Sequence, residues 1–146
     1  MKLSKRSDYA LRALIRLASC WPSGYMRMDE LTTIDRMPSY FISNIVTQLR
    51  RHKFLQSTAG ARGGFRLARA PRRILISDLI SCLESDLLLE NGRRDGRGSP
   101  GKAMVQRLDR LLTERINTTL RGLTLADIIQ QVADLQCKPE SLMYYI

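Results

Sequence analysis

The chain has 146 residues, 44% of them hydrophobic and 26% charged, which suits one compact domain with a packed core and an added element. Its formal net charge is +10, and its three cysteines, Cys20, Cys82 and Cys137, lie far apart. No apolar run approaches the roughly 20 residues of a membrane span, and Asp8, Arg12 and Arg16 interrupt the segment after the basic start, so no signal-peptide core is present. Sparse, odd thiols argue against a disulfide framework, and the expected location is cytoplasmic, without a membrane partner.

The charge is unevenly divided. Met1 to Arg73 holds 15 basic and 4 acidic residues, whereas Ile74 to Ile146 holds 9 and 10. A basic half beside a neutral half implies a polyanion-binding module joined to a part with another task.

In chain order, Ala10, Leu11, Leu14, Ile15 and Leu17 predict a helix over Ser7–Ala18, with Ser7 as N-cap and Asp8 favouring the positive helix end. Trp21-Pro22-Ser23-Gly24 breaks the chain. A short helix from Met28 or Asp29 to Asp35 comes next, burying Leu31 and Ile34. Pro38 suits the first turn of a third helix, running to His52. Phe41, Ile42, Ile45, Val46 and Leu49 form its apolar face. Ser39, Tyr40, Ser43, Asn44, Thr47, Gln48 and Arg51 form the other, and Arg50 adds charge near its end. Helix, short turn, helix with an outer face free of carboxylates is a helix-turn-helix pattern. Asn and Gln side chains can pair with adenine edges, and Ser and Thr can reach bases or phosphates.

Phe54–Ser57 and Gly64–Leu67 read as a strand pair around the glycine-rich tip Thr58–Gly63. Such a hairpin directly after a reading helix is a wing, with Arg62 able to enter a narrow minor groove. Arg66, Arg69, Arg72 and Arg73 extend the basic surface. Ser77 is expected to cap a helix over Asp78–Glu84. Residues 85–101 are expected to form a mobile loop. A long helix over Lys102–Leu120 carries Val105, Leu108, Leu112, Ile116 and Leu120 in a stripe, widened by Met104 and Leu111, expected to pack on a second copy as an antiparallel or crossed pair. Thr124 caps a last helix to Leu135, and the tail carries Met143, Tyr144 and Tyr145.

The fold class is therefore mainly α with a small β wing: a winged helix-turn-helix domain over 1–84, the loop over 85–101, and a dimerisation helix with C-terminal helix and tail over 102–146. Nothing points to an enzyme. His52 is the single histidine, and no paired carboxylates, metal-ligand cluster or nucleotide motif accompany it. Double-stranded DNA is the expected partner of a homodimer. The alternative is a non-enzymatic adaptor binding RNA or a protein through the same basic half, although single-stranded RNA readout favours exposed aromatics and these are 6% of residues.

Several segments in order resemble the Rrf-two family of bacterial winged helix-turn-helix transcriptional regulators. They are Met1-Lys2-Leu3-Ser4 with Tyr9–Leu14, Met37–Ile42, Leu49-Arg50-Arg51, Gly63–Pro71, Ile76–Ile80 and Thr124–Ile128. The resemblance implies a homodimer with a long dimerisation helix, reading a roughly palindromic operator, usually to repress transcription. It places the DNA-reading residues at Ser39, Tyr40, Ser43, Asn44 and Thr47, and the wing tip at Gly60, Ala61 and Arg62. Two departures stand out. Ala59 lies where the wing often has arginine. Cluster-binding members hold three cysteines in the stretch matching about Glu90 to Ala103, where this chain has none; Asp8 matches an oxygen-ligand position of some members, but a lone carboxylate cannot hold a cluster. The expectation is no metal and no iron–sulfur cofactor, with an unknown small-molecule or redox effector as the switch.

Overall fold

The computed structural model describes residues 3–33, 36–84 and 99–136. Helix α1 (Lys5–Ser19) begins earlier than its sequence suggests, because Ser4 and not Ser7 is the N-cap: the Ser4 hydroxyl accepts from the Ser7 amide at 3.2 Å. Ser7 is instead fully buried. Asp8 keeps its place in the first turn and pairs with Arg12 at 2.9 Å. Ala10, Ala13, Leu14 and Leu17 are the face that α1 turns into the core.

Helix α2 (Met28–Thr33) buries Leu31; Ile34 and Asp35, expected to complete it, lie outside the described residues. Pro38 does not enter the next helix. It is the N-cap residue, in an extended conformation, and α3 runs from Ser39 to Arg51. Ile42, Ile45, Val46 and Leu49 of α3 are buried, and Phe41, half-buried, meets Tyr9 of α1 edge-on with ring centroids 5.6 Å apart.

Strand β1 (Leu55–Thr58) pairs antiparallel with β2 (Gly64–Leu67), Leu55 facing Leu67 and Thr58 facing Gly64. The first strand thus starts one residue later than expected: the Phe54 amide still donates to the Leu49 carbonyl of α3 at 2.9 Å, and Thr58 leaves the tip for the strand. Met26 and Phe65 exchange backbone bonds of 2.9 and 2.8 Å, so the approach to α2 lies along the free side of β2. Gly64 permits this. Its φ is +151°, and a Cβ there would stand 2.5 Å from the Met26 carbonyl oxygen.

A 3-10 turn (Pro71–Arg73) leads to α4 (Ile76–Leu83). Leu75 is the residue before its first turn, so Ser77 lies inside the helix rather than capping it, and its carbonyl accepts from the Ser81 hydroxyl at 2.8 Å. Most of the expected loop, residues 85–98, lies outside the described residues. Ser99, Pro100 and Gly101 belong to the next helix, because the Ser99 hydroxyl caps the Lys102 amide and Pro100 suits an N-terminal position. Helix α5 (Pro100–Leu120) has 21 residues and none is buried.

Beyond Gly122, at φ +80°, the chain returns to the first part of the fold. Leu123 accepts from the Ile76 amide at 2.9 Å and the Leu125 amide donates to Ile74 at 2.8 Å. Thr124 and Asp127 cap each other reciprocally at the start of α6 (Leu125–Gln136), and Leu125 is fully buried in the common core. The expected tail, with Cys137 and the two tyrosines, lies outside the described residues. The close approach at Gly64 gives a direct expectation. Gly64→Ala should lower unfolding free energy by about 1–3 kcal/mol, read as a lower urea midpoint, because backbone rather than a movable side chain blocks the new methyl.

Candidate nucleic-acid interface

Burial of one face of α3 decides what the other presents. Ser39, Tyr40, Ser43, Asn44, Thr47, Arg50 and Arg51 are all exposed, Tyr40 to 78%. The Thr47 hydroxyl donates back to the Ser43 carbonyl at 2.9 Å, leaving its lone pairs and methyl outward. Gln48 departs from the sequence reading. Its amide nitrogen donates to the Cys82 carbonyl in the last turn of α4 at 2.5 Å, and its Oε1 is buried without a partner. It joins two helices instead of offering an edge to a base.

The wing places Gly60, at φ +104°, with Ala61 and Arg62 at an exposed tip. A Cβ on Gly63 would stand 2.4 Å from the Thr58 carbonyl oxygen, so glycine is needed for the tip to close. The arginines after the tip divide in two. Arg66 lies over the Tyr25 ring at 4.7 Å and Arg69 over Phe54 at 5.0 Å, which makes them braces under the wing and corrects their reading as open basic surface. Arg72 and Arg73 remain exposed.

Among the described residues the ion pairs are Arg12 with Asp8 and Arg27 with Asp29. Arg6, Arg50, Arg51, Lys53 and Arg62 are exposed and belong to neither, so this face carries net positive charge. A groove of about 650 Å³ follows α3 between Tyr40, Asn44, Thr47, Arg51 and His52 on one side and Arg6 of α1 on the other.

The residues flanking Lys5 and Arg6 are held by one carboxylate. Glu84, at the end of α4, accepts through Oε1 from the Ser4 amide at 3.0 Å, from the Ser7 hydroxyl at 2.6 Å and from the Ser4 hydroxyl. Partial burial pushes the Glu84 carboxyl up, but the bonds from Ser4 and Ser7 and the nearby Arg6 charge outweigh it and hold it below the usual range. The sequence pattern puts Gln48 on the outward face and gives Glu84 no role beyond ending a helix, since both act across distances of 34 and 80 positions with no local signature.

Residues 3–131 match the sequence profile described as Rrf2, iron-dependent transcriptional regulator. The chain belongs to the Rrf2 family. A Mycobacterium tuberculosis protein assigned by name to the HTH-type transcriptional regulators is 29% identical over 130 residues, which is 88% of this chain and 81% of that protein. The structure of T. potens IscR is 25% identical with a TM-score of 0.70, covering 99% of this chain and 97% of the other. That of CymR, the global cysteine regulator of B. subtilis, is 24% identical with a TM-score of 0.70 over 90% and 98%, a likeness of fold. This Rrf2 member is thus a DNA-binding transcriptional regulator with the winged helix-turn-helix fold. Among the described residues no helix is long and apolar enough to cross a membrane.

The Glu84 cluster has a pH signature. Its folded pKa is lowered, so its stabilisation is complete above the ordinary glutamate value, near 4.3, and is lost as pH falls from there through the folded value. Thermal midpoints measured from pH 7 down to about 3 should show Glu84→Gln losing less on acidification than the unsubstituted protein; parallel acid limbs would contradict this.

Proposed function

We propose that the protein is a repressor that binds a roughly palindromic operator as a homodimer, and that it carries no catalytic activity. The observation that carries this reading is the face of α3, exposed, free of carboxylates and set beside a glycine-built wing tip. Ser39, Tyr40, Ser43 and Asn44 stand toward the N-terminal end of α3, the part that meets base edges in helix-turn-helix docking. Thr47, Arg50 and Arg51 lie nearer the phosphates, and Gly60, Ala61 and Arg62 reach the neighbouring minor groove. The same face could meet other polyanions, but the family membership and the paired helix-and-wing geometry favour duplex DNA over an RNA or protein adaptor.

The second copy is proposed to cover α5. Met104, Val105, Leu108, Leu111 and Leu112 are each about half exposed or more, an apolar stripe that one copy leaves in water. Ile116 and Leu120 differ from the other stripe residues: both lie half-buried against this chain's own core, so they root the helix and only the stripe before them is free to meet a partner.

The switch is proposed not to be a cysteine-held iron–sulfur cluster. Among the described residues no group of three His, Cys, Asp or Glu side chains is placed to hold a metal. Cys82 lies in α4 and Cys20 follows the last turn of α1, so the two thiols belong to separate elements. Burial pushes the Cys82 thiol up, with Arg6 opposing more weakly, which makes it a poor redox sensor. A small molecule, or oxidation of a more accessible thiol, remains the proposed effector. Protein purified without oxygen should be colourless, with DNA affinity indifferent to iron chelators; a brown protein with stoichiometric iron and sulfide would overturn this.

Two measurements test the regulator itself. Asn44→Ala should weaken the cognate site by about 1–3 kcal/mol and spare random duplex, whereas Arg51→Ala should weaken both alike and lower the salt slope by roughly 1. Equal losses on random DNA would remove α3 as the reading helix. Leu108→Asp should give a monomer by light scattering and cost most of the operator affinity; a dimer that persists would place the interface elsewhere.

A further inference from the structure

The groove between α3 and the first turn of α1 has cationic walls on two separate elements. Arg6 stands on the α1 side and Arg51 on the α3 side, both exposed and neither in an ion pair among the described residues. No carboxylate lines the groove. The backbone on either side of Arg6 is fixed, because Ser4 and Ser7 both donate to Glu84 Oε1. Anchoring of this kind removes backbone freedom that an arginine on a frayed helix end would have to lose on binding. The apolar floor includes Phe41, which the Tyr9 ring supports from α1.

We propose that this groove seats a phosphate of the DNA backbone beside the major groove that α3 enters, with Arg6 as a phosphate-contact residue opposite Arg51. The proposal rests on the DNA-binding reading above and adds α1 to the contact surface. An α-helix fills a major groove about 12 Å wide, so the flanking strands run alongside it, where a wall next to the reading helix meets backbone and not bases. Gln48 also lines the groove, but its amide nitrogen is committed to the Cys82 carbonyl, so the deep part offers a phosphate no such donor and the favoured place is the rim, between the two guanidinium groups. A guanidinium suits that position because its planar donor fork matches two phosphate oxygens. Arg6 therefore adds affinity and register, and no preference for base sequence.

Fluorescence anisotropy with a random 24-base-pair duplex and with a cognate site, each over a salt series, tests this. Arg6→Gln should weaken both duplexes severalfold and by equal factors, and lower the magnitude of the log affinity against log salt slope by about 1 per subunit. Arg6→Lys should keep the slope, since the charge remains. Arg121→Gln removes the same charge from an exposed position beyond the C-terminal end of α5 and should leave the slope unchanged. An unchanged slope for Arg6→Gln, with a thermal midpoint matching the unsubstituted protein, would overturn the proposal, as would an equal loss with Arg121→Gln. Loss of discrimination confined to the cognate site would assign Arg6 to bases and overturn it too. If the unsubstituted protein itself binds duplex DNA without salt dependence, it is the DNA-binding reading that fails.

Discussion

A single carboxylate oxygen ties the beginning of the fold to the end of α4. Glu84 Oε1 takes donors from Ser4 and Ser7, and those two residues bracket the first turn of the helix on which the core is assembled. The placement is favourable twice over. A carboxylate near a helix N-terminus meets the positive end of the peptide dipoles, and the same hydroxyl and amide groups would otherwise lack partners at a helix start. Helix α1 in turn packs against α3, β2 and α4, so its direction fixes the angle at which α3 leaves its outer face to solvent. Gln48 fixes the same angle from the other side by holding the orphan carbonyl of Cys82. Reading helix, first helix and α4 are thereby locked at one corner, with side chains that never touch a base.

The arginines show how one residue type serves two ends in a small domain. Arg66 and Arg69 lie over aromatic rings, where the guanidinium plane packs as well as it pairs, and they brace the hairpin from beneath. Arg51 and Arg62 have no such ring and stand in water. The +10 net charge is thus borne by side chains of two kinds, some fixed against rings and others free to move in water.

Much of the fold was legible in the sequence where periodicity speaks. The α3 stripe of Ile42, Ile45, Val46 and Leu49 is apolar at helical spacing and is buried as that spacing requires. The glycines of the wing announce a hairpin, and the structure places its return strand at Gly64–Leu67 as read. Helix starts were less legible. Ser7 and Ser77 have the chemistry of caps, but the Ser7 hydroxyl donates to Glu84 instead, and Ser77 lies one residue inside a helix that starts at Ile76. Arg66 and Gln48 were misplaced for a related reason: their partners, Tyr25 and Cys82, are remote in sequence, and local pattern carries no information about them. Of the α5 stripe, spacing alone could not separate Ile116 and Leu120, which face the chain's own core, from Leu108, which does not.

The short backbone bridge between Leu75 and Thr124 makes the winged domain incomplete without its C-terminal segment. Leu125 occupies a fully buried place in the same core as Leu14 and Leu79. Sequence position suggests a head that ends near Glu84 and a separate arm; the packing instead makes the root of the arm part of the head. A chain cut after Glu84 would open a hole where Leu125 sits and expose the Ile74 and Ile76 backbone groups that Leu123 and Leu125 satisfy. The root of the arm, from Leu123 to Leu125, is therefore tied to the head by backbone bonds and by a buried side chain, with no free linker between them.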